Sequence, residues 1–391
     1  MLTHECKGNA SYKHLSIKQE NIDLYYKNKP RIFATVPKKL LLLSLFLCSL
    51  EIAQAQPGIS TAIPSEKPSK YQKDQIKRKY GMFIHFGINT FHDVEWSDGS
   101  FPVETYAPTE IDARQWVKTA KDAGMKYIIL VAKHHEGFCL WDSKYTDYDV
   151  ASSGNKTNVI EAVARECKKQ GMKLGLYYSL WDRKVNADVD NVESDREYNT
   201  YMLKQLDELM DITEKYTNIV EFWFDGSWVK PGYRWPVEGI YRTIKSREPQ
   251  CQIGINWTIG EDADPHNPNA PEKSYKIIPE EQKEGDPIRY FPSDFRLGDP
   301  LLPANPDPKV FSYNGKRYYM PFESTVCLSK RWFYHTTDKE YKSIDELVKL
   351  YQRATAQDNI LILNLPPNRE GKMRQKDVDL LIELRKHIRK L

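Results

Sequence analysis

The stretch Val220-Glu221-Phe222-Trp223-Phe224-Asp225-Gly226-Ser227-Trp228 decides the fold of this chain. It begins as an apolar, aromatic run, which is typical of a buried strand. It breaks at Asp225-Gly226, because glycine permits a sharp change of direction. The pattern therefore places Asp225 at the carboxyl end of a strand, between tryptophans. In α/β barrels that end of the strands carries the active site, and a carboxylate held there among aromatic rings indicates sugar chemistry.

Apolar strands and amphipathic helices alternate along the rest of the chain. The sequence predicts strands at 82–86, 127–132, 174–179, 220–225, 251–256, 318–328 and 359–363, and helices at 112–123, 158–170, 195–216, 235–247, 343–355 and 375–390. Repeated β-α units imply a parallel sheet covered by helices. About seven strands, with polar and aromatic residues after most of them, favour a (β/α)8-type TIM barrel over a doubly wound sheet. The chain also has no G-x-G-x-x-G after its first strand, so a dinucleotide fold lacks its main support.

One region interrupts this alternation. Residues 258–316 are dominated by Pro, Asp, Asn and Glu. A loop of this length is normally functional or contains small elements of its own. We therefore expect a single catalytic unit over 71–391 with a long irregular loop at 258–316.

Composition sets loose limits on function. The chain has 391 residues, enough for one large domain or two small ones, and a formal net charge of +3. A nearly balanced charge implies no nucleic acid or other polyelectrolyte partner. Aromatic residues make up 12% of the chain, with 24 Tyr and 9 Trp. Flat aromatic faces for sugar rings and a large aromatic core explain this content equally well.

The first 70 residues have the pattern of an export signal. Residues 1–36 are polar, and a signal peptide is predicted at 37–55, with Lys38-Lys39, an apolar run from 40 to 50 and a cleavage site after Ala55. The run is too short to span a membrane in the mature chain. The polar leader indicates a misassigned translation start, and residues 56–70 are predicted to be a linker. We therefore expect a periplasmic or secreted protein.

Four cysteines remain after the predicted cleavage site: Cys139, Cys167, Cys251 and Cys327. They lie far apart and form no C-x-x-C motif, which disfavours a metal cluster. We expect buried apolar thiols. An exported location permits a disulfide, but the spacing indicates none.

Polar side chains follow most of the predicted strands. These are His85, then His134 and His135, then Tyr177 and Tyr178, then Asp225, then Asn256. Any one of these histidines is most simply explained as a buried core residue. Three histidines and a carboxylate at strand ends together favour a functional site, since barrel chemistry is built from several strand ends. Zinc is the competing explanation, but adjacent histidines lack the spacing that places two imidazoles on one helix face.

The chain resembles the α-L-fucosidases of glycoside hydrolase family 29 from about residue 71 to its end. The motifs that carry the resemblance are Met82 to Gly87, Glu95-Trp96, Asp112 to Trp116, Lys133-His134-His135-Glu136-Gly137-Phe138, Trp141, Gly175 to Ser179, Trp223-Phe224-Asp225-Gly226, Asn359 to Asn364 and Pro366 to Gly371. The order and spacing of K-H-H-x-G-F and W-F-D-G make the resemblance specific. Many relatives continue into a β-sandwich, so this chain is expected to be the catalytic barrel alone.

The resemblance implies a retaining hydrolysis of terminal α-L-fucose from a glycan or glycoconjugate, without a metal or cofactor. It assigns Asp225 as the nucleophile and His85, His134 and His135 as hydrogen-bonding contacts of the fucose hydroxyls. The remaining substrate-binding residues that it implies are Glu95, Trp96, Trp223 and one of Tyr177 or Tyr178. A second carboxyl group would protonate the leaving oxygen and then activate water.

The resemblance does not place this acid/base, because in the family it comes from a variable loop. The candidates are Glu272, which has a suitable spacing from Asp225, Glu323, which matches a Trp-Glu motif with Phe for Trp, and Glu261. Whichever acts should have a raised pKa, since it must be protonated near neutral pH. Solvated loop charges explain Glu261 and Glu272 as simply, and a buried ion pair explains Glu323.

The sequence therefore predicts a retaining exo-α-L-fucosidase. A related glycosidase with altered sugar or linkage specificity is the nearest alternative, because the long loop is unusual. A non-catalytic glycan-binding barrel is the alternative from a different class. It requires the loss of a working carboxylate, whereas Asp225 is present.

Overall fold

Strands of the described residues form one parallel sheet and two small hairpins. In chain order they are β1 Tyr80–Ile84, β2 Tyr127–Lys133, β3 Lys173–Ser179, β4 Ile219–Asp225, β5 Gln252–Ile255, β6 Gly260–Glu261, β7 Tyr275–Lys276, β8 Val310–Tyr313, β9 Lys316–Tyr319, β10 Glu323–Cys327 and β11 Ile360–Asn364. The parallel sheet has seven strands in the order β10-β11-β1-β2-β3-β4-β5.

The computed structural model describes residues 65–185, 192–230, 233–263 and 269–390. All of them belong to one compact unit, 57–391. The leader predicted at 1–36, the signal peptide predicted at 37–55 and most of the linker predicted at 56–70 lie outside the described residues.

Helices cover the outer face of the sheet. They are α1 Lys70–Arg78, α2 Ala113–Asp122, α3 Val159–Gln170, α4 Val192–Thr213, α5 Val237–Arg247, α6 Ile344–Thr355 and α7 Gln375–Ile388. Local sequence sets several of their ends. The side chains of Asp112 and Asn158 accept a hydrogen bond from the first turn of α2 and of α3, and Gly171 ends α3 in the left-handed conformation.

An irregular segment fills the place of the eighth strand, between β5 and β10. Asp294 donates its backbone N–H to the carbonyl of Ile253 at 2.7 Å, on the β5 side. On the other side Arg296 donates to Pro321, and Glu323 donates back to Arg296, at 2.8 and 3.1 Å. The segment thus closes the sheet into a barrel. The (β/α)8-type barrel predicted from the sequence is confirmed.

Side chains fill the barrel interior, as the alternation along parallel strands requires. Phe83, Tyr127, Ile129, Tyr177, Trp223, Phe295, Leu297, Ile360 and Ile362 form a buried cluster there. Gly254 on β5 leaves room for the ring of Phe295, because a Cβ at this position would lie 2.5 Å from the ring. A larger cluster packs the outward side chains of the strands against the helices.

Buried polar groups form the floor of the barrel, at the amino-terminal ends of the strands. Arg78 at the end of α1 lies 3.4 Å from Glu221 on β4. Tyr127 on β2 donates its hydroxyl to Glu323 at 2.6 Å, and burial and the nearby charge of Glu221 raise the pKa of Glu323. The predicted linker therefore leads into a helix that reaches the floor of the barrel.

The irregular region predicted at 258–316 contains small elements, as expected for a loop of its length. The described part holds the hairpin β6-β7 and strand β8, and β9 begins at its last residue. The single strand predicted at 318–328 is in fact divided into the end of β9 and β10. No helix of the described ranges is both long and apolar enough to cross a membrane. The four cysteines Cys139, Cys167, Cys251 and Cys327 are all buried free thiols, as predicted.

Candidate active site

Asp225 ends β4 and points into the mouth of the barrel, where it is 7% exposed. The chain turns sharply after it. Gly226 adopts φ +78°, and a Cβ at this position would lie 2.8 Å from the Cβ of Trp181. The Asp-Gly pair of the opening motif therefore fixes both the carboxylate and the close approach of the β3 loop.

Two side chains, one on the strand to each side of β4 or directly after it, donate hydrogen bonds to the carboxylate of Asp225. The hydroxyl of Tyr177 on β3 donates to Oδ2 at 2.9 Å, and the amide of Asn256, directly after β5, donates to Oδ1 at 3.0 Å. Burial raises the pKa of Asp225, whereas these two hydrogen bonds act in the opposite direction because they favour the ionised form. The result is a desolvated carboxylate held in a fixed orientation.

His85, directly after β1, is held by Asn364 at the end of β11. The distance from its Nδ1 to Oδ1 of Asn364 is 2.7 Å. The amide nitrogen of Asn364 donates to the carbonyl of Trp332 at 2.8 Å, which fixes the orientation of this amide. Nδ1 must therefore carry the proton. Burial lowers the pKa of His85, and the nearby His134 lowers it further. The ring is therefore neutral, and its Nε2 is an acceptor.

His135 is oriented in the same way. Ser179 at the end of β3 donates its hydroxyl to the carbonyl of Trp181, so it can only accept from Nδ1 of His135, at 2.7 Å. Nε2 then lies 3.6 Å from Oδ2 of Asp225. Burial lowers the pKa of His135. A neutral acceptor nitrogen and a carboxylate oxygen at this spacing leave a place for a hydroxyl group near both.

His134 stands between them. Its Nδ1 lies 3.2 Å from Oε2 of Glu136, which also accepts from Asn89. The ring centroids of His134 and His135 are 4.1 Å apart. All three predicted histidines thus have Nδ1 engaged by the protein.

Aromatic rings surround these polar groups and enclose a cavity of about 230 Å³. It is lined by Phe83, His85, Trp96, His134, His135, Tyr177, Trp223, Asp225, Trp228, Asn256, Trp257, Asp299, Pro300 and Trp332. The cavity is smaller than a typical drug-sized site, so it suits one small ring rather than a long chain. Trp96 at its rim is 53% exposed.

A second carboxylate, Asp299, faces the same cavity. The amide nitrogen of Asn256 that donates to Asp225 also donates to Oδ1 of Asp299. Desolvation, together with the charge of Asp225, raises the pKa of Asp299 to about 7. The mouth of the barrel therefore holds two carboxyl groups with different surroundings.

The structure brings most of the predicted substrate-binding residues together. Those that line the cavity are His85, Trp96, His134, His135, Tyr177 and Trp223. Tyr178 does not, because successive side chains of a strand point to opposite faces. Its hydroxyl donates to Gln205 of α4 at 2.6 Å, outside the barrel.

Glu95 is not among the residues that line the cavity. Its carboxylate accepts the backbone N–H groups of Trp332 and Phe333 at 3.1 and 3.3 Å. Oε2 of Glu95 therefore holds the segment that carries Trp332, and the contact of Glu95 with the sugar stays a prediction.

The three acid/base candidates do not line this cavity. Glu323 is the first residue of β10 and lies in the barrel floor, whereas Asp225 is the last residue of β4. Four residues of strand correspond to roughly 13 Å, too far for the same sugar. Glu272 is exposed on the loop between β6 and β7. The position of Glu323 corrects the expectation for that residue, whereas the assignment of Glu272 stays a prediction.

Glu261 lines a different and larger cavity of about 630 Å³. Tyr233, Trp235, Arg289 and Tyr313 also border it, but Asp225 and the three histidines do not. The chemistry-bearing groups converge in the smaller cavity, so size alone does not identify the site. Within the described ranges, no group of three or more His, Cys, Asp or Glu side chains is arranged to hold a metal ion.

The roles of Asn256, Asp299 and Trp332 in the cavity were not predicted from the sequence. Asn256 follows a predicted strand, and this position was a usable signal. Asp299 and Trp332 stand in irregular segments, where no periodicity marks the side of the chain that faces the cavity.

Comparisons with known proteins agree on one family. The sequence profile of the family described as alpha-L-fucosidase matches residues 47–390. The chain is 30% identical to alpha-L-fucosidase 1 of Arabidopsis thaliana over 88% of its own length and 64% of the plant protein. The chain thus spans just under two thirds of this relative.

Solved structures give the same result. A structure of alpha-L-fucosidase isoenzyme 1 from Paenibacillus thiaminolyticus matches with a TM-score of 0.63 and 26% identity, over 82% of this chain and 76% of that one. A glycoside hydrolase 29 family member from an unknown rumen bacterium matches with a TM-score of 0.62 and 27% identity, over 83% and 58%.

Proposed function

The chain belongs to the α-L-fucosidase family, and from this premise we propose that it is a retaining exo-acting enzyme that hydrolyses terminal α-linked L-fucose from glycans or glycoconjugates. The observation that carries the proposal is the cavity around Asp225. It combines one desolvated carboxylate, three oriented imidazoles and several indole rings within about 230 Å³. A site of this size supports the removal of a single terminal sugar.

In this proposal Asp225 is the nucleophile. Its carboxylate attacks the anomeric carbon of fucose and forms a covalent fucosyl-enzyme, which water then hydrolyses. The hydrogen bonds from Tyr177 and Asn256 keep the carboxylate oriented and favour its ionised form. Its burial leaves it poorly solvated, so little water must be displaced when it reacts.

The histidines and the aromatic rings bind the sugar. Neutral His85 and His135 offer Nε2 as an acceptor for ring hydroxyls, and the Nε2 of His135 lies beside Asp225. The indole rings of Trp96, Trp228 and Trp332 cover the apolar surface of the ring and its methyl group. Polar groups would thus fix the orientation while the rings exclude water.

An aryl α-L-fucoside tests this function. We expect the wild-type protein to release the aryl group, and Asp225→Asn and Asp225→Gly to be nearly inactive. If the wild type binds fucose without releasing the aryl group, the chain is a glycan-binding barrel and the proposal is wrong. Faster hydrolysis of another aryl glycoside would favour the related glycosidase with altered specificity.

We further propose export of the chain by the signal at 37–55, to the periplasm or the medium. The support is the Lys38-Lys39 pair, the apolar run from 40 to 50 and the Ala53-Gln54-Ala55 site. Amino-terminal sequencing of the secreted protein tests this, since we expect it to begin at Gln56. A secreted protein that retains residues 1–36 would contradict the proposal.

A further inference from the structure

We propose that Asp299 is the general acid/base of the reaction, the carboxyl partner of Asp225; this assignment rests on the proposed fucosidase function. It differs from the three glutamates suggested by the sequence. The geometry of the amide that the two aspartates share is the main observation behind it.

The separation of the two carboxylates suits a retaining glycosidase. One nitrogen, Nδ2 of Asn256, donates to Oδ1 of Asp225 and to Oδ1 of Asp299. The two oxygens can therefore lie no farther apart than two hydrogen bonds end to end, about 6 Å. Retaining enzymes place their carboxyl groups roughly 5–5.5 Å apart, whereas inverting enzymes need more space.

The fold brings the two residues to this spacing. Asp225 ends β4, Asn256 follows β5, and Asp299 follows the irregular segment that occupies the eighth strand position. Three consecutive positions around the barrel mouth thus supply the nucleophile, the bridging amide and the second carboxyl group. Asp299 is only partly buried, so water can reach it.

The surroundings of Asp225 and Asp299 favour protonation of Asp299 over protonation of Asp225. Two like charges this close disfavour double ionisation. Asp225 accepts hydrogen bonds from Tyr177 and Asn256, which stabilise its charge. Within the described part of the chain, the side-chain hydrogen bond to Asp299 comes from Asn256, and the pKa of Asp299 is raised to about 7. Near neutral pH the proton therefore resides on Asp299, as a general acid requires.

Several other groups face Asp299. Lys276 from β7 lowers the pKa of Asp299, in opposition to Asp225. Tyr177 on β3 and Cys327 on β10 also interact with its charge. The ammonium group of Lys276 lies over the ring of Trp257, 3.4 Å from the ring centroid. Its charge does not outweigh desolvation and the charge of Asp225, so the pKa of Asp299 stays raised.

The proposed steps balance in atoms and charge. In the first step Asp225 forms a bond to the anomeric carbon, the glycosidic bond breaks, and the leaving oxygen takes the proton of Asp299. In the second step the Asp299 carboxylate takes a proton from water, whose oxygen bonds to the anomeric carbon while the ester to Asp225 breaks. Both carboxyl groups return to their starting states.

The test compares Asp299→Asn with Glu261→Gln and Glu272→Gln on fucosides with poor and good leaving groups. Asp299→Asn keeps an acceptor oxygen for Asn256, so we expect it to fold, which thermal unfolding checks. A poor leaving group needs the proton, so we expect kcat/KM to fall roughly 10²–10⁴-fold for it. With a dinitrophenyl leaving group we expect a much smaller loss. Both glutamine variants should behave like the wild type.

Azide and pH profiles give readouts that a structural role would not change. Azide should restore turnover of the dinitrophenyl fucoside by Asp299→Asn and give α-L-fucosyl azide, whereas Asp225→Gly should give the β anomer. The alkaline limb of the wild-type profile, expected near pH 7, should be absent in Asp299→Asn.

The outcomes separate the two proposals. A wild-type protein without activity on any fucoside overturns the fucosidase function and this assignment together. An active wild type with an unchanged leaving-group dependence in Asp299→Asn overturns the assignment alone. The same holds if Glu261→Gln or Glu272→Gln shows the loss and the azide product expected of Asp299→Asn.

Discussion

Tyr177 on β3 donates a hydrogen bond of 2.9 Å to Oδ2 of Asp225 on β4, and both side chains point into the barrel. Its neighbour Tyr178 points the other way and donates to Gln205 at 2.6 Å. One step along the strand thus separates a tyrosine of the site from a tyrosine of the outer core. The pair provides a matched test of the site.

We expect Tyr177→Phe to lower kcat/KM roughly 10- to 100-fold, since a hydrogen bond to a charged group contributes about 1.5–3 kcal/mol. The same change raises the pKa of Asp225, because a bond that favours its ionised form is lost. Because the proposed nucleophile must be ionised, the acidic limb of the pH–rate profile should move to higher pH. Measurements of kcat/KM against pH check both effects.

Tyr178→Phe is the control, and it should keep the wild-type profile. An acidic limb that moves equally in both variants would show that the hydroxyl of Tyr177 has no special role.

The buried ion pair between Lys133 and Asp182 should be important for stability. Nζ of Lys133 lies 2.7 Å from Oδ2 of Asp182, and both side chains are fully buried. The ammonium group also lies over the rings of Tyr178 and Tyr201. Lys133→Met leaves an uncompensated charge, so we expect the free energy of unfolding to fall by about 3–5 kcal/mol. Urea denaturation measures this loss.

The exposed pair of Lys118 and Asp122 on α2 provides the comparison. Lys118→Met should change the free energy of unfolding by less than about 1 kcal/mol. Equal losses at the two sites would contradict the prediction.

Asp182 also accepts the backbone N–H groups of Lys184 and Val185, so its loss should disturb the β3 loop and reduce activity as well.

Glu323 in the barrel floor should make stability depend on pH. Burial, followed by the charge of Glu221, raises its pKa well above the ordinary value. The stability it contributes is fully present below the ordinary glutamate pKa, about 4.3, and decreases as pH rises toward its folded pKa. We therefore expect Glu323→Gln to weaken the decline in unfolding free energy that the wild type shows as the pH rises above the ordinary glutamate pKa.

Glu221→Gln should behave differently, because it leaves Arg78 without its anionic partner. We expect a loss of about 3–5 kcal/mol at neutral pH from this change. Denaturation curves at several pH values distinguish the two variants, and an identical pH dependence of the unfolding free energy in wild type and Glu323→Gln would contradict a raised pKa of Glu323.

Trp96 at the cavity rim should contribute to binding rather than to stability. Its ring is 53% exposed and lies edge-on to His135 and Trp181. We expect Trp96→Ala to raise KM for an aryl α-L-fucoside roughly three- to tenfold, with the melting temperature nearly unchanged. Tyr145→Ala is the control, since Tyr145 is an exposed aromatic residue remote from the cavity. A raised KM in both variants would refute a specific role for Trp96.

Periodicity and strand ends predicted the barrel well. The apolar runs around Ile129, Leu176 and Phe222 became β2, β3 and β4, because a strand buried on both faces has a strong local signal. Asp225 and His135 were predicted correctly as neighbours at the mouth, since parallel strands bring their carboxyl ends to one edge.

The errors also have physical reasons. Glu323 matched a motif, but it starts its strand, so the direction of the chain places it at the floor. Tyr178 was not separated from Tyr177 because the register against β4 was unknown; Tyr177 pairs with Trp223 and shares its face. Asp299 depends on a segment without periodic sequence, which only long-range contacts place in the barrel wall.

The eighth wall position of the barrel is held by a few main-chain contacts instead of a continuous ladder. Insertions or deletions in the loop that precedes residue 294 therefore disturb no pairing within the seven-stranded sheet, whereas the seven paired strands tolerate no such shift. Exchange of this preceding loop is therefore a route to new preferences for the part of the substrate beyond the cavity. The remaining wall keeps Asp225, its histidines and Asp299 in place during such changes.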